Sequence, residues 1–545
     1  MSASTSARRW WALPAFAAAI AVSFGYWWWQ GRPVSLADVP HPKLHCVSYA
    51  PFRDAQSPAD PALMIAPAQI DADLALLAQR FECVRTYSTA HGQDEVVPIA
   101  AHHGLKVILG AWIGRDAARN EAELARTIAL ANQYPDTVRA LVIGNETLLR
   151  RELPPEALGV MLRRAKDGTS VPVSYADVWE FWLRNAPLAE SVDFVTIHIL
   201  PYWEDDPIDI ARATDHVRNI LAKMTAAFAG KTLLIGETGW PSAGRMREGA
   251  RPGLVNQARF VREFVAFAEE RGLEYNLIEA FDQPWKRGQE GTVGGYWGLY
   301  DGARAAKFAF SGPVREVGAW RAYWLATCAL GGLALALALS RKARFSRWGW
   351  AGYALLAFAA AASMVEHARF VAVTSLGARA WLLGALTLAL AAASAWIACE
   401  GAARGTLRSG PRASLRAVLE RAARPWRTTP EGGLWLGALQ AAAVLGAAAI
   451  CLALAVDPRY RDFPTAAFVV PAFAFALMGA PPAADGTEER WLGRILAAAA
   501  VAVGVREGPE NWQAIGWCAT ALLLAWPWSG LARAIDWGQR SPNSN

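Results

Sequence analysis

The sequence predicts an α/β fold, a (β/α)₈ TIM barrel, joined to an α-helical multi-pass transmembrane domain. Eight short β-branched or apolar runs alternate with amphipathic segments over residues 41–312, and this length is usual for one barrel. Long apolar runs fill the first 30 residues and most of residues 316–545. Hydrophobic residues make up 54% of the 545 residues, which is high for a soluble chain.

The eight runs predict strands because they are short, rich in β-branched residues and bounded by polar or turn residues. They cover residues 45–52, 83–89, 106–112, 140–145, 171–176, 194–199, 232–236 and 275–281. Segments with a 3.6-residue apolar period lie between them, as in 71–79, 121–132 and 257–271. An open doubly wound sheet would need a glycine-rich phosphate turn after the first strand, and residues 50–53 (APFR) do not form one.

The N-terminus predicts an uncleaved signal anchor over residues 1–31. Arg8 and Arg9 precede an apolar stretch, 10–29, that is long enough to span a bilayer. A cleaved signal peptide is the alternative, but it would end in a small-x-small site. This stretch ends instead in aromatic residues typical of a membrane interface, Tyr26, Trp27, Trp28 and Trp29.

About seven further apolar runs predict a polytopic domain over residues 316–545. They lie near 320–340, 348–365, 380–399, 433–456, 465–480, 491–505 and 512–529, and the sixth is short. Two loops are strongly basic, with Arg341, Lys342, Arg344 and Arg347 in one, and Arg404, Arg408, Arg412, Arg416, Arg421, Arg424 and Arg427 in the other. By the positive-inside rule both are cytoplasmic, so we expect a bacterial inner-membrane protein with residues 32–315 in the periplasm.

Charge and cysteine usage exclude two other classes of function. The net charge of +6 comes largely from loops beside apolar runs, so membrane topology explains it and no nucleic-acid partner is expected. The six cysteines form no CxxC or Cys/His cluster, so we expect no metal and no cofactor. Cys46 and Cys83 lie on neighbouring predicted strands. We expect two buried free thiols there, with a disulfide as the alternative.

Two glutamates follow buried runs at the C-terminal ends of strands, where barrel enzymes place their active sites. Glu146 ends the fourth run and Glu237 ends the seventh. A lone glutamate there could equally form a capping salt bridge. A pair on opposite sides of one barrel mouth suits glycoside hydrolysis or transfer, in which one carboxyl protonates the leaving oxygen and the other attacks.

The motifs that carry these glutamates, VIGNE at 142–146 and IGETGWPS at 235–242, resemble family 17 of the glycoside hydrolases, the β-1,3-glucanases and related glucan transglycosylases. The resemblance extends to VRTYST at 84–89, HILPYW at 198–203, EAFDQPWK at 279–286 and YWGLYD at 296–301. It implies a retaining enzyme in which Glu146 is the general acid/base and Glu237 the nucleophile. It also implies that Asn145 binds the sugar 2-hydroxyl.

Further residues near the glutamates are candidates for substrate binding. Aromatic rings could fill the core or stack on sugar faces, and we favour stacking for Tyr87, Tyr202, Trp240 and Trp285. Glu279 and Lys286 could bind sugar hydroxyls or form a supporting ion pair. The chain departs from the plant-type pattern at His198 and Leu200, and it has glycine near Gly294 where that pattern has a glutamate. His198 could tune the nucleophile or only fill the barrel rim.

The whole layout resembles bacterial membrane proteins of periplasmic cyclic β-1,3/β-1,6-glucan synthesis, often described as β-(1,6)-glucan synthases. No DxD motif followed by a QxxRW-like motif, the signature of a nucleotide-sugar glycosyltransferase, is visible. We therefore expect a β-glucan substrate, a lipid bilayer and a separate glucan synthase as partners. Transglycosylation is favoured over hydrolysis. In the alternative interpretation, the barrel is a glucan-binding sensor on a transport or assembly platform.

Overall fold

The computed structural model describes residues 10–404, 412–423, 433–479 and 486–529. The chain forms two compact units. Residues 33–314 make one, and the N-terminal helix α1 (Ala12–Gln30) makes the other together with the residues from Arg315 onward. The predicted basic residues Arg8, Arg9, Arg408, Arg424 and Arg427 lie outside the described residues.

Residues 33–314 contain a closed barrel of eight parallel strands, in which each strand pairs with the next and the eighth pairs with the first. The strands are β1 Leu44–Ser48, β2 Phe81–Arg85, β3 Lys106–Ala111, β4 Val138–Asn145, β5 Val173–Val178, β6 Val195–His198, β7 Leu233–Thr238 and β8 Glu274–Leu277. The predicted eight-stranded barrel is confirmed. The first and last predicted runs extend past the strand ends because Phe52 and Phe281 are buried in loops, so these loops are as apolar as strands.

Helices and short 3₁₀ segments connect the strands. The helices are α2 Pro67–Leu77, α3 Val96–His102, α4 Ala117–Gln133, α5 Pro155–Gly168, α6 Trp179–Arg184, α7 Ala213–Ala227, α8 Leu254–Arg271 and α9 Arg287–Gly294. The 3₁₀ segments are Gln93–Glu95, Ala186–Ser191, Ile210–Arg212 and Pro284–Lys286, and two-residue strands occur at Pro33–Val34 and Val314–Arg315. Asp116 caps the N-terminus of α4, because its carboxylate accepts hydrogen bonds from the amides of Ala118 and Arg119.

The inside of the barrel is filled by small and branched side chains: Cys46, Cys83, Ile108, Ala140, Val142, Ala176 and Leu234. Cys46 and Cys83 are directly paired between β1 and β2, with Cα atoms 4.6 Å apart, and form a disulfide. The expectation of two free thiols is therefore wrong. It treated the two strands as part of a flat ladder, whereas side chains that point into a closed barrel converge on its axis.

The second unit is helical. Its helices after α1 are α10 Trp320–Ser340, α11 Arg347–Thr374, α12 Gly377–Arg404, α13 Leu415–Ala423, α14 Leu434–Val456, α15 Thr465–Met478, α16 Thr487–Glu507 and α17 Trp512–Ala525. By length and composition, five helices among the described residues could cross a membrane: α1, α10, α11, α12 and α14.

The last three predicted spans do not meet the same criteria of length and composition. α15 and α17 have 14 residues each, about 21 Å of helix against a hydrocarbon core of about 30 Å. α16 is long enough, but its first turns carry Glu488, Glu489, Arg490 and Arg494.

The N-terminal helix α1 is built into this helical unit. Trp27 is fully buried and donates its indole N–H to Thr327 of α10 at 2.9 Å. Tyr26 donates to Glu366 near the end of α11, and Phe16 packs edge-on against Phe358. The C-terminal end of α1 thus lies beside the start of α10, and both lie at the opposite end of α10 from the basic loop at 341–347.

Candidate active site

Glu146 and Glu237 meet at the C-terminal mouth of the barrel. Glu146 follows β4 directly, and Glu237 is the last residue but one of β7. One carboxylate oxygen of each lies within 4.8 Å of the other. A separation of about 5 Å between the two carboxyl groups is the geometry of retaining glycosidases, because no room is left for a water on the opposite face of the sugar.

The backbone before Glu146 is bent, and this bend directs the side chain into the mouth. Gly144 and Glu146 have φ angles of 87° and 52°, both in the left-handed region. A Cβ at Gly144 would lie 2.8 Å from Thr147 Oγ1, so only glycine fits there. The register of the β4–β5 pairing shifts between Val142 and Asn145. Such bulges are common next to active sites, where they redirect a side chain.

Glu237 is held by two donors from the end of β2. Arg85 donates Nη1–H to Glu237 Oε1 at 3.1 Å, and Tyr87 donates its hydroxyl to the same oxygen at 2.8 Å. Both interactions favour the ionised carboxylate that a nucleophile needs. Burial, followed by the negative charge of Glu237, raises the pKa of Tyr87 well above its usual value, so Tyr87 remains a donor.

Arg85 was not among the predicted site residues, although it joins both halves of the site. It is fully buried and also donates to Asn145 Oδ1 at 2.6 Å and to the Gly236 carbonyl at 2.8 Å. This contact engages the Oδ1 of Asn145 and not its Nδ2. The sequence did contain a signal for Arg85. Arg85 lies two residues after the inward-facing Cys83 on β2, so both side chains point to the inner face of the barrel.

His198 is 1% exposed at the end of β6. Its Nδ1 lies 2.9 Å from Glu146 Oε1, whereas its Nε2 is 3.6 Å from Glu237 Oε1. The expected role as a sugar-binding residue is corrected, because the side chain is too deeply buried to contact a sugar. Its hydrogen bond goes to Glu146, the predicted acid/base, and its Nε2 lies within ion-pair distance of Glu237.

Glu279 and Lys286 form an ion pair after β8, with Nζ 2.8 Å from Oε2. Burial raises the pKa of Glu279 to about 7, even though Lys286 opposes that shift. Burial alone would lower the pKa of Lys286, but attraction to Glu279 and Glu290 raises it. Of the two open alternatives, the structure favours the supporting ion pair.

Glu290 of α9 was missed. Its carboxylate is close enough to Gly294 that a Cβ there would lie 2.7 Å from Glu290 Oε2. Burial raises its pKa to about 7, and the negative charges of Glu146 and Glu237 act in the same direction. The carboxylate of Glu290 therefore lies near Gly294, where the plant-type pattern has a glutamate.

The four predicted aromatic residues divide into two groups. Tyr202 and Trp240 are fully buried, and their rings pack edge-on with centroids 6.1 Å apart. The expectation that they stack on sugars is therefore wrong, because neither ring has an exposed face. Tyr87 and Trp285 are only partly buried. Trp112, at the end of β3, is 41% exposed, with the Arg150 guanidinium 4.1 Å from its ring centroid.

The trio Glu146, His198 and Glu237 has a spacing that could hold a metal ion. The Arg85 guanidinium, however, already contacts Glu237 Oε1 and faces His198 Nε2. A cation would have to displace this charge. Among the described residues the one other such group is His45, Cys46 and Cys83, whose two cysteines are bonded to each other.

Comparison with known proteins gives matches to glucan-active enzymes. Residues 46–298 match the family model of the BtgE/BtgC glycoside hydrolase domain. The glucan 1,3-beta-glucosidase of Schizosaccharomyces pombe is 28% identical over 254 residues, which cover 44% of this chain and 78% of that protein. The putative glucan endo-1,3-beta-glucosidase btgC of Aspergillus niger is 29% identical over 267 residues, and the chain spans 38% of its length.

A similar solved structure is the glycoside hydrolase family 17 beta-1,3-glucanosyltransferase from Rhizomucor miehei. It is 23% identical, with a TM-score of 0.44, and the match covers 50% of this chain and 98% of that one. The family match lies within the barrel and leaves the helical unit after residue 315 outside it. The barrel is therefore similar to the glycoside hydrolase domains of glucan-active enzymes.

Proposed function

We propose that this chain is a retaining β-1,3-glucan transglycosylase or endo-hydrolase, anchored in a bacterial inner membrane with its barrel in the periplasm. There it would act in the synthesis or remodelling of a β-1,3/β-1,6-glucan, alongside a separate glucan synthase. The observation that carries the proposal is the pair of carboxylates within 4.8 Å at the mouth of the barrel. The relatives named for β-1,3-glucan support the substrate class.

The two glutamates would act in two steps. Glu146 gives its proton to the glycosidic oxygen while Glu237 Oε attacks the anomeric carbon, so a glycosyl ester forms on Glu237 and the leaving sugar departs as an alcohol. Glu146, now ionised, then takes the proton of an incoming hydroxyl that attacks the same carbon and releases Glu237. Asn145, held by Arg85, is placed to donate to the sugar 2-hydroxyl.

Hydrolysis and transglycosylation differ only in whether water or a sugar hydroxyl resolves the ester. Tethering at a membrane favours a sugar acceptor, because it keeps the enzyme beside a locally made glucan. The exposed Trp112 offers an aromatic face beside the site on which an acceptor sugar could stack.

Three observations support the location. Trp27 of α1 is fully buried within the helical unit, which suits an anchor that stays attached to the chain. The Cys46–Cys83 disulfide suits an oxidising compartment such as the periplasm. The basic loop at 341–347 lies at the opposite end of α10 from the barrel linker, as the positive-inside rule requires.

Product analysis tests the chemistry. The purified full chain is given a single-length β-1,3-linked glucan oligosaccharide, with Glu237→Gln as the inactive control. Products longer than the substrate would show transfer, and shorter products alone would show hydrolysis. Binding without any cleavage would contradict the proposal and favour a glucan-binding sensor.

Reporter fusions test the topology. A reporter active only in the periplasm should work when fused at about residue 315 and fail when fused at about residue 345 or 415. The reverse pattern would place the barrel in the cytoplasm and contradict the proposed location.

A further inference from the structure

His198 lies between the two carboxylates, but it hydrogen-bonds only one of them. Its Nδ1 is 2.9 Å from Glu146 Oε1, and the 3.6 Å from Nε2 to Glu237 Oε1 is too long for a hydrogen bond. The ring is buried at the end of β6. Of the two carboxylates, it therefore hydrogen-bonds Glu146.

The ionised carboxylate of Glu146 determines that Nδ1 of His198 carries a proton. An ionised carboxylate can only accept, and Nδ1 lies 2.9 Å from Glu146 Oε1. His198 therefore donates its Nδ1–H to Glu146, while its Nε2 faces the Arg85 guanidinium at 3.4 Å. The neighbouring strand fixes the ring, because a Cβ at Gly236 would lie 3.1 Å from His198 Cδ2 and 2.5 Å from Thr196 Cγ2.

The charged and titratable groups around this pair come from six elements: Arg85 and Tyr87 from the end of β2, Arg150 after β4, Asp177 on β5, Glu237 on β7, Glu279 after β8, and Lys286 and Glu290 beside and in α9. Burial raises the pKa of Asp177 to about 6 and that of Glu290 to about 7. In mildly acidic solution these two carboxyls are therefore largely neutral, while the two arginines stay charged.

This environment favours the ionised form of Glu146. Burial acts in the opposite direction, but the hydrogen bond and charge of His198, together with Arg150 and Arg85, hold the pKa of Glu146 below its usual value. A general acid must nevertheless carry a proton when the substrate binds. The partner that stabilises the ionised carboxylate thus limits the pH range in which the acid is available.

We propose that His198 is the positioning residue of the general acid. Its Nδ1–H orients the Glu146 carboxylate toward the glycosidic oxygen and sets the pH above which the enzyme loses its acid. This inference rests on the proposed function of Glu146. It assigns His198 to neither substrate binding nor the nucleophile.

The kinetic test compares two variants of the full chain on a β-1,3-glucan oligosaccharide. His198→Leu removes the donor, so the alkaline limb of the kcat/KM profile should move up by about one pH unit. His198→Asn keeps an amide donor near the Nδ1 position and should keep that limb closer to the wild-type position. An alkaline limb that stays in place or moves down in His198→Leu would overturn the proposal.

Tyr87→Phe is the matched control, because it removes a donor from the other carboxylate. In Tyr87→Phe the acidic limb of the kcat/KM profile should move to higher pH while the alkaline limb stays in place. In His198→Leu the alkaline limb should move to higher pH while the acidic limb stays in place. If His198 had a merely structural role, His198→Leu would lower the activity without moving the alkaline limb of the kcat/KM profile relative to the acidic limb. That result would overturn the proposal.

A measurement without substrate separates this inference from the proposed function. In ¹⁵N-histidine-labelled protein, the signals that vanish in His198→Asn identify His198, and these signals should show a proton on Nδ1. Glu146→Gln should shift the same signals. A His198 whose only ring proton is on Nε2 would overturn the inference whether or not the enzyme turns over glucan, whereas the expected proton on Nδ1 without any glucan turnover would contradict the proposed function alone.

Discussion

Replacing Arg85 with methionine should impair Glu237, the proposed nucleophile, by making its ionised form less stable. Arg85 is fully buried and donates to Glu237 Oε1 at 3.1 Å. A hydrogen bond to a charged group contributes about 1.5–3 kcal/mol, and each pH unit corresponds to about 1.4 kcal/mol. The acidic limb of the kcat/KM profile should therefore move up by about 1–2 pH units in Arg85→Met.

The same change should lower the free energy of unfolding, because removing one partner of a buried ion pair costs about 3–5 kcal/mol. Arg85→Lys covers the case in which the methionine variant does not fold. It keeps the charge but loses the fork that also reaches Asn145.

Initial rates on a β-1,3-glucan oligosaccharide across the pH range of the folded protein, with thermal unfolding in parallel, measure both effects. Arg139→Met is the matched control, since Arg139 is also on a barrel strand and paired with Glu274, but at the opposite end of the barrel and partly exposed. In that variant the free energy of unfolding should fall by about 0–1 kcal/mol, and both limbs of the kcat/KM profile should stay in place. A folded Arg85→Met whose acidic limb coincides with the wild-type limb would refute the reasoning.

Two further predictions concern stability. The folded-state pKa of Glu279, about 7, is raised above its ordinary value, so its contribution to stability is full at low pH and is lost as the pH rises through about 7. Lys286→Met should raise that pKa further. The unfolding free energy of Lys286→Met, measured by thermal unfolding at several pH values, should show a deficit that grows with pH. Lys166→Met, in a partly exposed pair, should show little change, and a deficit of Lys286→Met that is independent of pH would contradict this account. Cys46→Ser with Cys83→Ser should lower the free energy of denaturant unfolding by about 4 kcal/mol, because the bond closes a loop of 37 residues. Alkylation of both thiols in the denatured wild-type chain without reductant would instead show that no disulfide exists.

The barrel could be predicted from the sequence because its strands and helices have different apolar periods. β4 and β7 each appear as an apolar run that ends in a glutamate, and chain order alone places both ends at one mouth. The positions of the two carboxylates could therefore be predicted without any contact between residues that are distant in the sequence. The disulfide could not, because it depends on the convergence of inward side chains in a closed barrel.

The surroundings of the glutamates could not be predicted in the same way. The contacts of Arg85 with Glu237 and Asn145 join residues 152 and 60 positions apart, and local patterns do not encode such pairs. Tyr202 and Trp240 are adjacent to the site in the sequence, yet their rings turn into the core. An aromatic residue near a strand end suits both environments, so composition alone could not separate them.

The central claim is that Glu237 forms a covalent glycosyl ester while Glu146 handles the proton. The most direct measurement is mass spectrometry of the full chain after incubation with a 2-deoxy-2-fluoro β-1,3-glucosyl fluoride. Its fluorine slows both steps, and its leaving group needs no proton, so the ester should accumulate. We expect one added glycosyl mass per chain, on the peptide that contains Glu237, in the wild type and in Glu146→Gln but not in Glu237→Gln. A label on any other residue, or an unlabelled chain that still releases fluoride, would contradict the account.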